Sequence, residues 1–126
     1  VYDATVALVA ERPWLGHGAG TFAAVFPSVR PPGLRETFVH AHSVPLQAAA
    51  MLGIPAALAG LAAVVCLGAA CWRAARGGSV AGRVGVSALA LAGAHGLLDF
   101  APQVPAVAVT LGAFVGLGAA RPHRYS

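Results

Sequence analysis

Between Ser43 and Trp72 the chain carries no charged residue, and the same holds from Val84 to Leu98 and from Phe100 to Ala120. Uncharged apolar stretches of about 18 or more residues read as helices that cross the hydrocarbon layer of a bilayer. A folded domain in water carries roughly 25% charged residues, whereas this chain has 10%, with 58% hydrophobic residues and a mean hydropathy of +0.75. There are too few charges to cover a water-facing surface. The sequence describes an integral membrane protein.

The net charge of +4 does not point to nucleic acid. All eight basic residues are arginines, scattered in ones and twos between the apolar runs. No basic stripe with interleaved aromatics is available to follow a phosphate backbone. Cys66 and Cys71 lie five apart inside the first long run and point in different directions on a helix, which suits small apolar packing residues better than a ligand pair. The chain opens at Val1 in helical-looking sequence, without an initiator methionine or a signal-peptide pattern. The expectation is a piece of a longer protein.

Residues 3 to 12 have helical spacing, and Pro13 stops them. "PWLGHGAGTF" follows, then Pro27, Pro31, Pro32 and Gly33. Residues 13 to 41 are therefore expected to be mostly irregular. Ser43 can cap a short helix over about 44–52, tolerant of Pro45 in its first turn and interrupted by Gly53. Pro55 can open a spanning helix to Trp72, about 27 Å long at 1.5 Å per residue. Further spans are expected at about 80–98, with Arg83 near enough to the end to snorkel, and at about 104–120. The expected fold is all-α and polytopic. Residues 1–54 form an extracytoplasmic loop segment with short interfacial helices, and residues 55–126 form three transmembrane helices and a basic tail.

Charge placement orients this arrangement. The turn at 73–83 carries Arg73, Arg76 and Arg83 with no acid, and the tail carries Arg121 and Arg124. The turn at 99–105 has only Asp99, and the arginines of residues 1–42 are balanced by Asp3, Glu11 and Glu36. Positive short loops favour the cytoplasm. That puts 73–83 and the tail inside, with 1–54 and 99–105 outside.

His40 and His42 then fall on the outer face at the membrane surface. Alternate spacing on an extended segment can place both rings on one side, so three readings stand. They can be metal ligands, although the other outer candidates, His17, Asp3, Glu11, Glu36 and Asp99, show no ligand spacing. They can be interfacial side chains bonded to backbone. Or one can be a general base, since histidine titrates near neutrality and can accept a proton from an attacking hydroxyl. "GHGAG" lacks the Lys-Ser/Thr ending and preceding strand of a phosphate loop, and suits a flexible turn. His95 and Asp99, four apart, share a helix face at the outer end of the second span. Arg30 and Arg35 lie in the outer loop, where either can hold an anionic group or simply be solvated.

In order and spacing, "RPWLGHGAGTFAAVFP", "HAHSVPLQAAAMLGIP" and "HGLLDFAPQVPAV" resemble the C-terminal part of the O-antigen ligase and polymerase family of bacterial membrane glycosyltransferases. The family pattern falls on Pro13, Gly16, Gly18, Gly20 and Phe22, on His40, His42, Ser43, Leu46, Gln47 and Gly53, and on His95 and Asp99. Met51 stands where the family often has glutamate, and Ala56 where it has a second glycine. An arginine expected shortly before Tyr2 would precede Val1.

The resemblance implies metal-independent glycosyl transfer at the outer face of the bacterial cytoplasmic membrane, without a cofactor. The donor would be a glycan on a polyprenyl diphosphate, and the acceptor a hydroxyl on a glycan or lipid. His42 would be the catalytic base, with Arg30, Arg35, His40, Gln47 and Asp99 as candidates for holding diphosphate or acceptor. Partners would include membrane lipids and the N-terminal helices of the same protein, so this piece alone is expected to be inactive. The rival class is a non-enzymatic membrane component such as a transporter piece or scaffold. It predicts that Arg30, Arg35 and His42 tolerate substitution.

Overall fold

The computed structural model describes residues 1–33, 38–99 and 101–120. Every regular element among them is helical: α1 (Tyr2–Glu11), α2 (Phe22–Val25), α3 (Val44–Leu52), α4 (Ile54–Arg76), α5 (Val80–Leu98) and α6 (Pro105–Ala119), with 3-10 turns at Phe26–Ser28 and Ala101–Gln103. Arg35 and residues 121–126, which include the basic tail, lie outside the described residues.

Glycine and proline set the breaks. Gly53 alone separates α3 from α4, at φ 86° and ψ 160°, and Pro55 stands in α4's first turn. That backbone region is open to glycine and to almost nothing else. Gly77 and Gly78 end α4, and the Ser79 hydroxyl accepts the Gly82 N–H at 3.1 Å to cap α5. α4 runs on past Trp72 to Arg76. Alanine and arginine are strong helix formers, and Arg73 and Arg76 complement the negative end of the helix dipole.

A small core gathers the first three helices. Leu8, Phe22, Phe26, Ala41, Ala50 and Met51 are buried together. Phe22 and Phe26, one helical turn apart, stack with ring centroids at 5.2 Å, and Phe38 lies 5.6 Å from Phe26. Burying such a side chain stabilises by about 1.5–3 kcal/mol, which holds the glycine- and proline-rich segment after α1 against α3. Within the segment expected to be irregular, Phe22 and Phe26 thus bring their own helical turn.

α4, α5 and α6 meet by a different logic. They converge on small residues at Cys71, Gly85 and Gly118. A Cβ on Gly85 would stand 2.8 Å from Cys71 Sγ, and one on Gly118 would stand 2.8 Å from the Ala81 carbonyl oxygen. Close backbone approach through small residues is how helices associate where lipid removes the hydrophobic drive. The Cys71 thiol is buried and donates to the Val115 carbonyl at 3.5 Å.

Away from this node the long helices bury little. Leu58, Leu61 and Val65 on α4 are 59%, 59% and 62% exposed, and Leu91 on α5 is 74% exposed. At about 25 cal/mol per Å² such faces are costly in water, and in a bilayer they are not. α4 and α5, at 23 and 19 residues, are long and apolar enough to cross a membrane. α6 has 15 residues and reaches about 22 Å, short of the roughly 30 Å hydrocarbon layer. The architecture is that of a helical membrane protein with a packed segment of short helices at the N-terminal end of α4.

Candidate active site at the end of α5

The site is built on a clasp. After Pro13 the chain turns through Gly16 and Gly18, at φ 64° and 108°. The N–H groups of His17 and Gly18 reach the carbonyls of Ala50 and Met51 at 3.0 and 2.8 Å, and the Ile54 N–H reaches the Pro13 carbonyl at 2.7 Å. Carbonyls left open by the end of α3 and an amide left open by the start of α4 are satisfied by one loop. The glycines let that loop lie directly on Gly53. His17 is used locally as well: its Nε2–H donates to the Leu8 carbonyl at 2.9 Å, with Glu11 at 3.8 Å. "GHGAG", read from the sequence as a flexible turn, is here a clasp across the helix break.

This clasp fixes α3, and α3 carries the histidine segment on its N-terminal side. His42 stands at φ 55°, the one non-glycine residue in the left-handed region among those described. For an L-residue this costs about 1–2 kcal/mol. The Tyr2 hydroxyl on α1 donates to the His42 carbonyl at 3.0 Å and helps hold it there. Outliers of this kind are kept where surrounding structure over-determines them, often at functional sites.

The strained backbone sends the ring toward the end of α5. His42 Nδ1 lies 3.5 Å from Asp99 Oδ1, and His95 Nε2 lies 3.6 Å from Asp99 Oδ2. The side chains of His42, Asp99 and His95 are 45%, 40% and 54% exposed. At that exposure an ion pair adds only about 0–1 kcal/mol, so these contacts govern orientation rather than stability. If the Nδ1 proton faces the carboxylate, Nε2 is the ring nitrogen left to accept a proton.

His40 takes another partner. The Gln47 amide nitrogen donates to His40 Nδ1 at 3.1 Å and to Gln103 Oε1 at 3.0 Å, while its carbonyl oxygen accepts the Ala41 N–H at 2.9 Å. Gln47 thus ties the histidine segment to the turn before α6. The two histidines, one residue apart in sequence, serve different contacts.

Of the residues proposed from sequence, the structure brings together His42 with Asp99 and His40 with Gln47. Arg30 is exposed just after the 3-10 turn, and it makes no ion pair among the described residues. No group of three or more His, Cys, Asp or Glu side chains among the described residues is placed to hold a metal ion. Sequence reasoning missed Tyr2 and Gln103, since a lone hydroxyl or amide gives no signal before the fold brings it near. Below His95 an apolar cleft of about 520 Å³ runs between α5 and α6, walled by Leu91, Leu111 and Phe114.

Strained histidine, carboxylate and apolar cleft at the end of membrane-type helices define the class as a membrane protein with a polar site at its surface. A family model described as O-antigen ligase matches residues 1–61, from α1 through the glycine clasp and the histidine segment into α4. The resemblance read from those motifs therefore stands over that segment, while His95 and Asp99 lie beyond it. No curated protein and no solved structure matches the chain.

Proposed function

We propose that this chain forms part of a membrane glycosyltransferase of the O-antigen ligase type. On this reading it joins a glycan from a polyprenyl-diphosphate donor to an acceptor hydroxyl at the outer face of the bacterial cytoplasmic membrane. The observation that carries the proposal is the 3.5 Å approach of His42 Nδ1 to Asp99 Oδ1, which joins a histidine inside the segment that matches the family to a carboxylate beyond it.

In this reading Asp99 orients His42, and His42 Nε2 takes the proton from the acceptor hydroxyl. The acceptor oxygen forms its bond to the anomeric carbon as the bond from that carbon to the diphosphate oxygen breaks. The diphosphate leaves on its polyprenyl chain, carrying the electron pair. Positioned general bases contribute about 10²–10⁴-fold. Arg30 and Arg35 are the outer-loop cations available to offset charge on the leaving group, and the cleft below His95 offers an apolar path for a prenyl chain. Residues 1–54 and 99–105 face outward, with 73–83 and the tail inside and α6 as the third span.

His42→Ala in the full-length protein should abolish glycan transfer while membrane insertion and amount stay the same. Unchanged transfer would remove His42 from the mechanism.

A further inference from the structure

The loop that clasps the α3–α4 break presents two large apolar side chains outward: Trp14 is 75% exposed and Leu15 85%. They do not stand alone. Leu52 and Ile54, on either side of Gly53, are 46% and 41% exposed, and the loop backbone lies so close on Gly53 that a Cβ there would collide with Trp14. The bond from the Ile54 N–H to the Pro13 carbonyl, 2.7 Å, locks the loop to α4's first turn. Four large apolar side chains thus form one projecting knob where the exposed apolar surface of α4 begins. Singly exposed apolar residues need no explanation, but contiguous ones mark an interaction surface.

We infer that this knob is seated in a lipid bilayer, at the boundary between headgroups and acyl chains on one side of the membrane. Two observations select lipid over water or a protein partner. The first is continuity: the knob runs without interruption into Leu58, Leu61 and Val65, the exposed face of a helix long and apolar enough to span. The second is spacing. The chain has two tryptophans, and Trp72, 55% exposed, stands at the far end of the same helix just before Arg73 and Arg76. From Ile54 to Trp72 the helix rises about 27 Å, close to the roughly 30 Å hydrocarbon thickness. Tryptophan settles at both interfaces, with its ring among acyl chains and its N–H toward the headgroups. Trp14 and Trp72 bracket α4 as such a pair.

The placement sets the depth of the polar site. α4 and α5 form a hairpin through Gly77–Ser79, so the end of α5, with His95 and Asp99, lies on the same side as the knob. Trp14 at the headgroup boundary puts that carboxylate at headgroup level, within reach of the polar end of a lipid-anchored substrate. The inference itself does not depend on glycan transfer.

Trp72→Phe leaves Trp14 as the sole indole of this 126-residue chain and allows a direct test in the chain reconstituted into phosphatidylcholine vesicles. Lipids brominated near the headgroup should quench Trp14 more strongly than lipids brominated near the chain end, and aqueous iodide should quench it weakly. Trp14→Phe should give Trp72 the same shallow profile. Three results would each overturn the inference: no bromine quenching with strong iodide quenching, which puts the loop in water; quenching by neither, which puts it under protein; or stronger quenching by the deep bromines.

Discussion

Gly16 and Gly53 lie against each other where the glycine clasp crosses the α3–α4 break. A Cβ on Gly16 would overlap the Met51 carbonyl and stand 2.7 Å from the Gly53 nitrogen. A Cβ on Gly53 would run into Trp14 and Leu15. Gly20, in the same loop at φ 76°, has nothing within 4 Å of the corresponding position.

That contrast separates conformational cost from steric cost. Gly20→Ala should lose only what a positive φ costs an L-residue, about 1–2 kcal/mol. Gly53→Ala meets a Gly-only backbone region worth about 1–3 kcal/mol and must also force the loop off the helix break. Thermal unfolding in detergent should therefore fall clearly further for Gly53→Ala, with faster proteolysis within residues 13–33. Equal losses for the two variants would show that the loop does not lie on Gly53.

Asp99 makes a sharper chemical prediction. If its carboxylate acts by orienting His42, Asp99→Asn should lower turnover by about 10- to 100-fold, less than loss of a general base itself. The decisive measurement is a double-mutant cycle. In a His42→Ala background, Asp99→Asn should cost nothing further, because residues that act as a unit are not additive. A full additional loss would mean that Asp99 works on the substrate by itself.

How much of this was legible in the sequence differs by feature, for physical reasons. Helix breaks at Gly53 and Pro105 were readable because glycine and proline act on the backbone locally, whereas the end of α4 was placed at Trp72 and lies at Arg76, four residues on. The all-helical, membrane-type class followed from the spacing of charges. The short helix at Phe22–Val25 was not expected, because proline and glycine around it dominate the local signal while its aromatic core is made with distant α1 and α3. His95 and Asp99 were recognised as a pair one helical turn apart. The approach of His42 to that pair depends on a positive φ at a histidine, which nothing in "HAHS" announces. Gln47 was read as a substrate contact because it follows the motif. Its three hydrogen bonds within the protein became visible only once Ala41, His40 and Gln103 surrounded it.

Gln47 therefore separates two roles that kinetics can tell apart. A residue that grips substrate raises KM when lost, whereas one that shapes the histidine segment lowers kcat and leaves KM nearly unchanged. Gln47→Leu removes contacts to Ala41, His40 and Gln103 together. Each neutral hydrogen bond contributes about 1 kcal/mol, or roughly fivefold in rate if the loss falls on the reacting geometry. The expected result is a fall in kcat of about 10-fold or more with little change in acceptor KM. Gln103→Leu, which removes one of the three contacts, should give a smaller fall of the same kind. Because both act through one network, Gln103→Leu should add little to Gln47→Leu. A rise in KM with kcat preserved would return Gln47 to the substrate and leave the histidine segment held by Tyr2 and Asp99.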